Sequence, residues 1–103
     1  MSNIKNSIKD YFQTSSNVIA SLALELDTIE KIAIAISDSN ANGGKVLIAG
    51  NGGSCADSEH FAGELLCTFK SRDRGPIGAI NLANSSAITA WANDFEFDSY
   101  YTR

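Results

Sequence analysis

The stretch KVLIAGNGGS, Lys45 to Ser54, constrains the fold more than any other. Lys45–Gly50 is a short, continuous apolar run, the pattern of a β-strand covered on both faces. It ends in Gly50, Asn51, Gly52 and Gly53, three glycines in four residues, and a helical pattern lasts from Cys55 to about Leu66. A strand that passes through a glycine turn straight into a helix is one unit of an α/β layer fold.

The flanking sequence extends that unit. Upstream, Ile4, Ile8, Tyr11, Phe12, Val18, Ile19, Leu22 and Leu26 recur at steps of three and four, one apolar stripe along a helix. Unbroken from about Asn3 to Leu26 it is ~36 Å long, which predicts packing against more than its own short chain. Asp27 with Glu30 three later resembles a capping box and opens a second helix with Ile29, Ile32, Ala33 and Ile36 on one face. NANGG, Asn40 to Gly44, stops it. Downstream, TFKSRDRGP is a polar connector containing the only proline, Pro76, and Ile77–Ala83 is a second strand. A helix capped by Asn84 or Ser85 then runs through Trp91 to Asn93, and a last helical stretch starts near Asp94 and includes Phe97, Tyr100 and Tyr101. Strands alternating with helices predict parallel pairing. A two-stranded parallel sheet has open edges and buries little, so the pattern reads as the first half of an α/β domain.

Composition narrows the function classes. The 103 residues carry 8 basic and 12 acidic side chains, a net charge of -4, and the densest basic patch, Lys70 to Arg74, is interrupted by Asp73. A nucleic-acid backbone needs clustered cations, so none is expected as partner. No apolar run approaches the ~20 residues of a membrane span, and the N-terminus lacks the apolar core of an export signal. A cytoplasmic chain is expected, with Cys55 and Cys67 reduced and acting as small buried hydrophobes.

The glycine turn and the helix behind it carry the chemistry. A strand ending in Gly-Asn-Gly-Gly-Ser and entering a helix presents backbone N–H groups and a helix dipole, which favour an anionic or polyhydroxy ligand. It is no Walker loop, which needs a lysine after its last glycine, and its glycine spacing is not the dinucleotide fingerprint. A plain strand-to-helix turn is the other reading. His60, the only histidine, and Glu64 stand four apart and so share one helix face. Imidazole and carboxylate at that spacing can share a divalent metal. A solvent-exposed pair adding ~0.3 kcal/mol to the helix has the same signature.

GNGGSCADSEHFAGEL followed by AITAWANDFEFD resembles the sugar isomerase (SIS) domain family, over nearly the whole chain. The resemblance implies a partial SIS domain over 1–103: a helical pair, 1–42, that packs in the interfaces of a homo-oligomer, typically a tetramer, and the first βαβα part, 43–103, of a three-layer, flavodoxin-like parallel-sheet domain. Within the family the chain is most similar to members that isomerise an aldose–ketose pair, sedoheptulose 7-phosphate and D-glycero-D-manno-heptose 7-phosphate. That step leads to the heptose of bacterial lipopolysaccharide and other surface glycans. The resemblance assigns substrate contacts to Asn51, Gly52, Gly53, Ser54, Asn93 and Asp94, zinc (Zn2+) ligation to His60 and Glu64, and substrate contact and acid–base catalysis to Glu64 as well. In the family the serine- and threonine-rich phosphate cradle, a catalytic histidine and a glutamine metal ligand lie in the second half of the domain, after the position of Arg103. The sequence thus predicts a truncated chain that is inactive by itself. Non-enzymatic relatives that sense phosphosugars or bind the replication initiator keep the glycine turn without a catalytic carboxylate, and Glu64 argues against them. A helical oligomerisation module with a vestigial half-domain is a further reading.

Overall fold

A computed structural model describes residues 2–103. Its elements are α1 (Ser2–Ser21), a 3-10 segment (Leu22–Glu25), α2 (Leu26–Ala41), β1 (Val46–Ile48), α3 (Gly53–Leu66), β2 (Ala79–Asn81), α4 (Ser85–Asp94) and a 3-10 turn (Phe97–Ser99). Packing separates the residues up to Ala35 from Ile36–Arg103, a boundary inside α2.

In the first unit the apolar stripe forms a helix, as its period requires, but α-helical geometry ends at Ser21 and not at Leu26. The Ser21 hydroxyl donates to the Val18 carbonyl at 2.6 Å, three residues back, a bond that competes with the helical ladder. Asp27 does not cap a new helix. Ser21 and Leu26 on either side of the 3-10 segment keep right-handed helical backbone, so the chain never makes the extended entry that a capping residue needs. Ile8, Phe12, Val18 and Ile19 are exposed.

In the second unit α2 ends in a left-handed Gly43, φ 75°. Gly44 N–H donates to the Ser39 carbonyl at 2.7 Å and Gly43 N–H to the Asn40 carbonyl at 3.1 Å, the paired closure that glycine permits. The Asn40 side chain then accepts from Gly78 N–H at 3.2 Å, and Val46 N–H donates to the Gly78 carbonyl at 2.8 Å. β1 and β2 pair in parallel, with Val46 opposite Ala79, Leu47 opposite Ile80 and Ile48 opposite Asn81. Both strands are shorter than the apolar runs that signalled them.

α3 packs on both strands, with Ser58, Ala62 and Ala79 buried. The small side chains let helix and sheet approach closely. The opposite face is open: Leu47 is 61% and Ile80 43% exposed. β1 is therefore covered on one face and not on two, because the single crossover helix covers one side of the sheet. Cys55 is half-buried and Cys67 exposed, both unpaired, which corrects the expectation of two buried thiols. The helix expected from Asp94 through Tyr101 reduces to the 3-10 turn, since Phe95 leaves helical geometry at φ -134° and ψ -101°.

Arg74 closes the end of α3. Its guanidinium donates to the Glu64 carbonyl at 2.6 Å and the Leu65 carbonyl at 2.9 Å, two carbonyls left without helical partners, of which that of Leu65 also accepts from Ile77 N–H at 2.9 Å. Replacing Arg74 with alanine is expected to lower stability by about 1–3 kcal/mol, read as an earlier midpoint in urea. An unchanged midpoint would show that water serves these carbonyls equally well.

Candidate functional site

The glycine turn has two parts with different constraints. Gly50 is crowded: a Cβ there would lie 2.5 Å from the backbone carbon and oxygen of Ser54. Gly52 is the cap of α3 and holds φ 56°, ψ -122°, a conformation close to glycine-only. The turn is tied internally: Ser54 N–H donates to the Asn51 carbonyl and Cys55 N–H to that of Gly52, both at 3.0 Å. Two of the amides that a ligand would use therefore already have partners. Among the described residues, those of Gly52 and Gly53 donate to no group of the chain.

His60 and Glu64 share a face of α3, with His60 Nε2 3.0 Å from Glu64 Oε1. The imidazole is 77% exposed and the carboxylate 35%. The pair lies two and three turns into the helix, ~10 and ~16 Å along the axis from Gly53. Glu64 lines a hollow of about 330 Å³ with Phe61, Leu65, Phe69, Arg74 and Ile77, which includes none of the residues of the glycine turn. The structure thus brings His60 to Glu64 but not the pair to Asn51–Ser54.

Asn93 and Asp94 end α4, with Asn93 Nδ2 donating to Asp94 Oδ1 at 3.0 Å. Among the described residues no hydrogen bond joins their side chains to the glycine turn or to His60 and Glu64.

A second hollow, of about 510 Å³, lies at the carboxyl ends of the strands, where open parallel sheets hold their ligands. Cys55 and Glu59 from α3 line it with Asn81, Ala83 and Asn84 after β2 and Ser85, Ile88 and Thr89 from α4. Asn84 caps α4 by accepting from Ala87 N–H at 2.9 Å. The sequence reading did not single out Glu59 or Asn81. The signal available was the four-residue spacing of Cys55 and Glu59, which turns both to one side of α3.

The donor chemistry of His60 and Glu64 suits zinc. Two donors ~2.1 Å from a tetrahedral ion stand about 3.4 Å apart, so the observed pair needs to open by only a few tenths of an ångström. A metal there would bind Nε2 through its lone pair, in place of the hydrogen bond between the two side chains. Among the described residues no group of three or more His, Cys, Asp or Glu side chains is placed to hold a metal, so the pair supplies two ligands and not a full set.

A parallel strand pair joined by a crossover helix, with a glycine turn at the first strand end and a His–Glu helix face, is part of an α/β layer domain. The chain belongs to the SIS domain family, whose model matches residues 10–103. Its relatives include proteins named phosphoheptose isomerase: that of Campylobacter concisus is 39% identical over 101 residues, 97% of this chain and 53% of the relative. That of Burkholderia pseudomallei is 41% identical over 101 residues, 97% of this chain and 50% of the relative. Among solved structures, phosphoheptose isomerase GmhA from Neisseria gonorrhoeae superposes with a TM-score of 0.69 at 29% identity, over 96% of this chain and 51% of that one. The chain thus spans about half the length of these relatives, and its helical N-terminus and parallel strand pair match the corresponding part of that fold. Among the described residues no helix is long and apolar enough to cross a membrane.

Proposed function

We propose that the chain carries one part of the active site of a cytoplasmic aldose–ketose isomerase that converts sedoheptulose 7-phosphate to D-glycero-D-manno-heptose 7-phosphate, in heptose supply for lipopolysaccharide or another surface glycan. The observation that supports it best is the His60–Glu64 pair at 3.0 Å, on the helix that leaves the glycine turn. Glu64 Oε1 is engaged by His60, which leaves Oε2 for a proton. The carboxylate takes a proton from C1 as the C2 carbonyl oxygen gains one, giving the enediol. It then returns a proton to C2 as the C1 hydroxyl loses its own, giving the aldose. Zinc held by His60, Glu64 and ligands from outside these residues would polarise the sugar oxygens. Asn51–Ser54 and Asn93–Asp94 hold sugar hydroxyls or phosphate in this reading.

The same reading places the chain in a homo-oligomer of tetramer type. The apolar stripe of α1 is the matching surface: Ile8 is 51% and Phe12 73% exposed. Ile8→Asp with Phe12→Asp is expected to move the chain from oligomer toward monomer or insoluble material. Sedimentation of a well-folded monomer with neither change would contradict this.

The activity test uses a joined enzyme: these 103 residues continued by the part of the Neisseria gonorrhoeae chain that they do not cover. It is expected to form the aldose phosphate from sedoheptulose 7-phosphate, followed by NMR. A folded joined enzyme that binds the ketose phosphate and leaves it unchanged would favour a binding module.

A further inference from the structure

Two adjacent tyrosines near the C-terminal end of the chain reach the turns at the strand ends. Tyr101 donates its hydroxyl to the Gly50 carbonyl at 2.7 Å, 51 residues away in sequence. Tyr100 donates to the Leu82 carbonyl at 2.9 Å and accepts from Asn84 N–H at 3.2 Å. The first bond grips the turn between β1 and α3. The other two grip the turn between β2 and α4, at the residue that caps α4. The rings meet edge to face, 4.9 Å between centroids. Trp91 Nε1 donates to Ser99 Oγ at 2.9 Å and Tyr100 N–H to the Phe97 carbonyl at 3.0 Å, which anchors the 3-10 turn that delivers the dipeptide.

We propose that Tyr101 and Tyr100 are positioning residues, each tethering one of the two ligand-side turns, Tyr101 the Gly50–Ser54 turn and Tyr100 the Leu82–Asn84 turn, to a common C-terminal segment. Glycine is required at Gly50 by its closeness to Ser54, and that requirement leaves the backbone there free to rotate. The Gly50 carbonyl lies beyond the last strand bond, Leu82 N–H to the Ile48 carbonyl at 2.9 Å. The Tyr101 hydroxyl restores at that point the constraint that glycine gives up. A phenylalanine fills the same space and cannot donate, so the hydroxyl and not the ring is the functional part. The proposal's bearing on a sugar phosphate rests on the isomerase reading; the tether itself does not.

The test compares Tyr101→Phe and Tyr100→Phe in the full 103-residue chain by amide hydrogen exchange, with no ligand present. Tyr101→Phe should speed exchange at the bonded amides Ser54–Ala56 roughly fivefold, the factor that one net hydrogen bond allows, and leave those of Ala83, Asn84 and Ala87 unchanged. Tyr100→Phe should do the reverse. Loss of a general structural plug moves both turns together in either variant, and that result, or no change in either turn, overturns the proposal. In the joined enzyme, Tyr101→Phe should raise KM for sedoheptulose 7-phosphate by a larger factor than it lowers kcat. Equal or larger loss in kcat contradicts a positioning role toward the substrate. If the joined enzyme is inert before any substitution, the isomerase reading fails, and the exchange data still decide the tether.

Discussion

Glu64→Gln in the joined enzyme is expected to reduce C1–C2 proton exchange of sedoheptulose 7-phosphate by ~10²–10⁴-fold, the usual loss when a general base is removed. Glutamine keeps the length of the side chain and an oxygen that His60 can still reach, so the hollow and the helix survive. What goes is the carboxylate proposed to accept the proton. His60→Ala is expected to be milder: it removes a metal donor, so activity falls in part and recovers at high zinc if binding is the only defect. The order of the two losses distinguishes the roles. If His60→Ala costs as much as Glu64→Gln and zinc does not restore it, His60 acts on the proton as well. Full exchange by the Glu64→Gln enzyme would remove Glu64 from the chemistry.

Gly50→Ala is expected to be the most crowded of the three glycine substitutions in the turn. The new Cβ meets the Ser54 backbone at 2.5 Å and its Cβ at 2.8 Å, and backbone at the first turn of α3 cannot swing aside as a side-chain tip can. Overpacking of this kind costs ~1–3 kcal/mol, and it also pulls the Gly50 carbonyl away from Tyr101. Gly52→Ala meets no atom within 4 Å but inherits φ 56°, a strain of ~1–3 kcal/mol. Gly53→Ala meets nothing and needs no positive φ, so its unfolding midpoint should stay near that of the parent. Urea unfolding of the three variants checks the ranking. A Gly53→Ala protein as unstable as Gly50→Ala would show that the turn is intolerant for some reason other than crowding.

The features legible in the sequence were those whose cause is local. The parallel strand pair, the start of α3 beside Ser54, the Asn84 cap and the His60–Glu64 face all stem from turn chemistry or from a spacing of four. The capping box at Asp27 misled because its residue types suit a helix start, while whether the chain is extended there depends on the residues before it. Strand coverage misled for a related reason. An apolar run such as Val46–Ile48 states that both faces can be buried, and only the elements actually packed on the sheet decide whether they are. The thiols obeyed the same rule. Cys67 comes directly after the last residue of α3, where nothing covers it. The tyrosine contacts were invisible for a different reason: a hydroxyl that bonds a carbonyl 51 residues away leaves no periodic trace. The distance from His60 and Glu64 to the glycine turn was countable from the sequence once a helix was placed there. Eleven positions separate Gly53 from Glu64, which is three turns of rise.

In the proposed function these residues supply the proton-moving carboxylate and two metal donors of a sugar-phosphate isomerase, and the rest of the site comes from elsewhere. Deuterium incorporation into sedoheptulose 7-phosphate in deuterated water, followed by NMR for the joined enzyme and the 103-residue chain side by side, tests it most directly. Exchange at C1 and C2 is expected from the joined enzyme and none from the 103 residues alone. Exchange by the 103-residue chain at the joined enzyme's rate, or none by a folded joined enzyme, would contradict it.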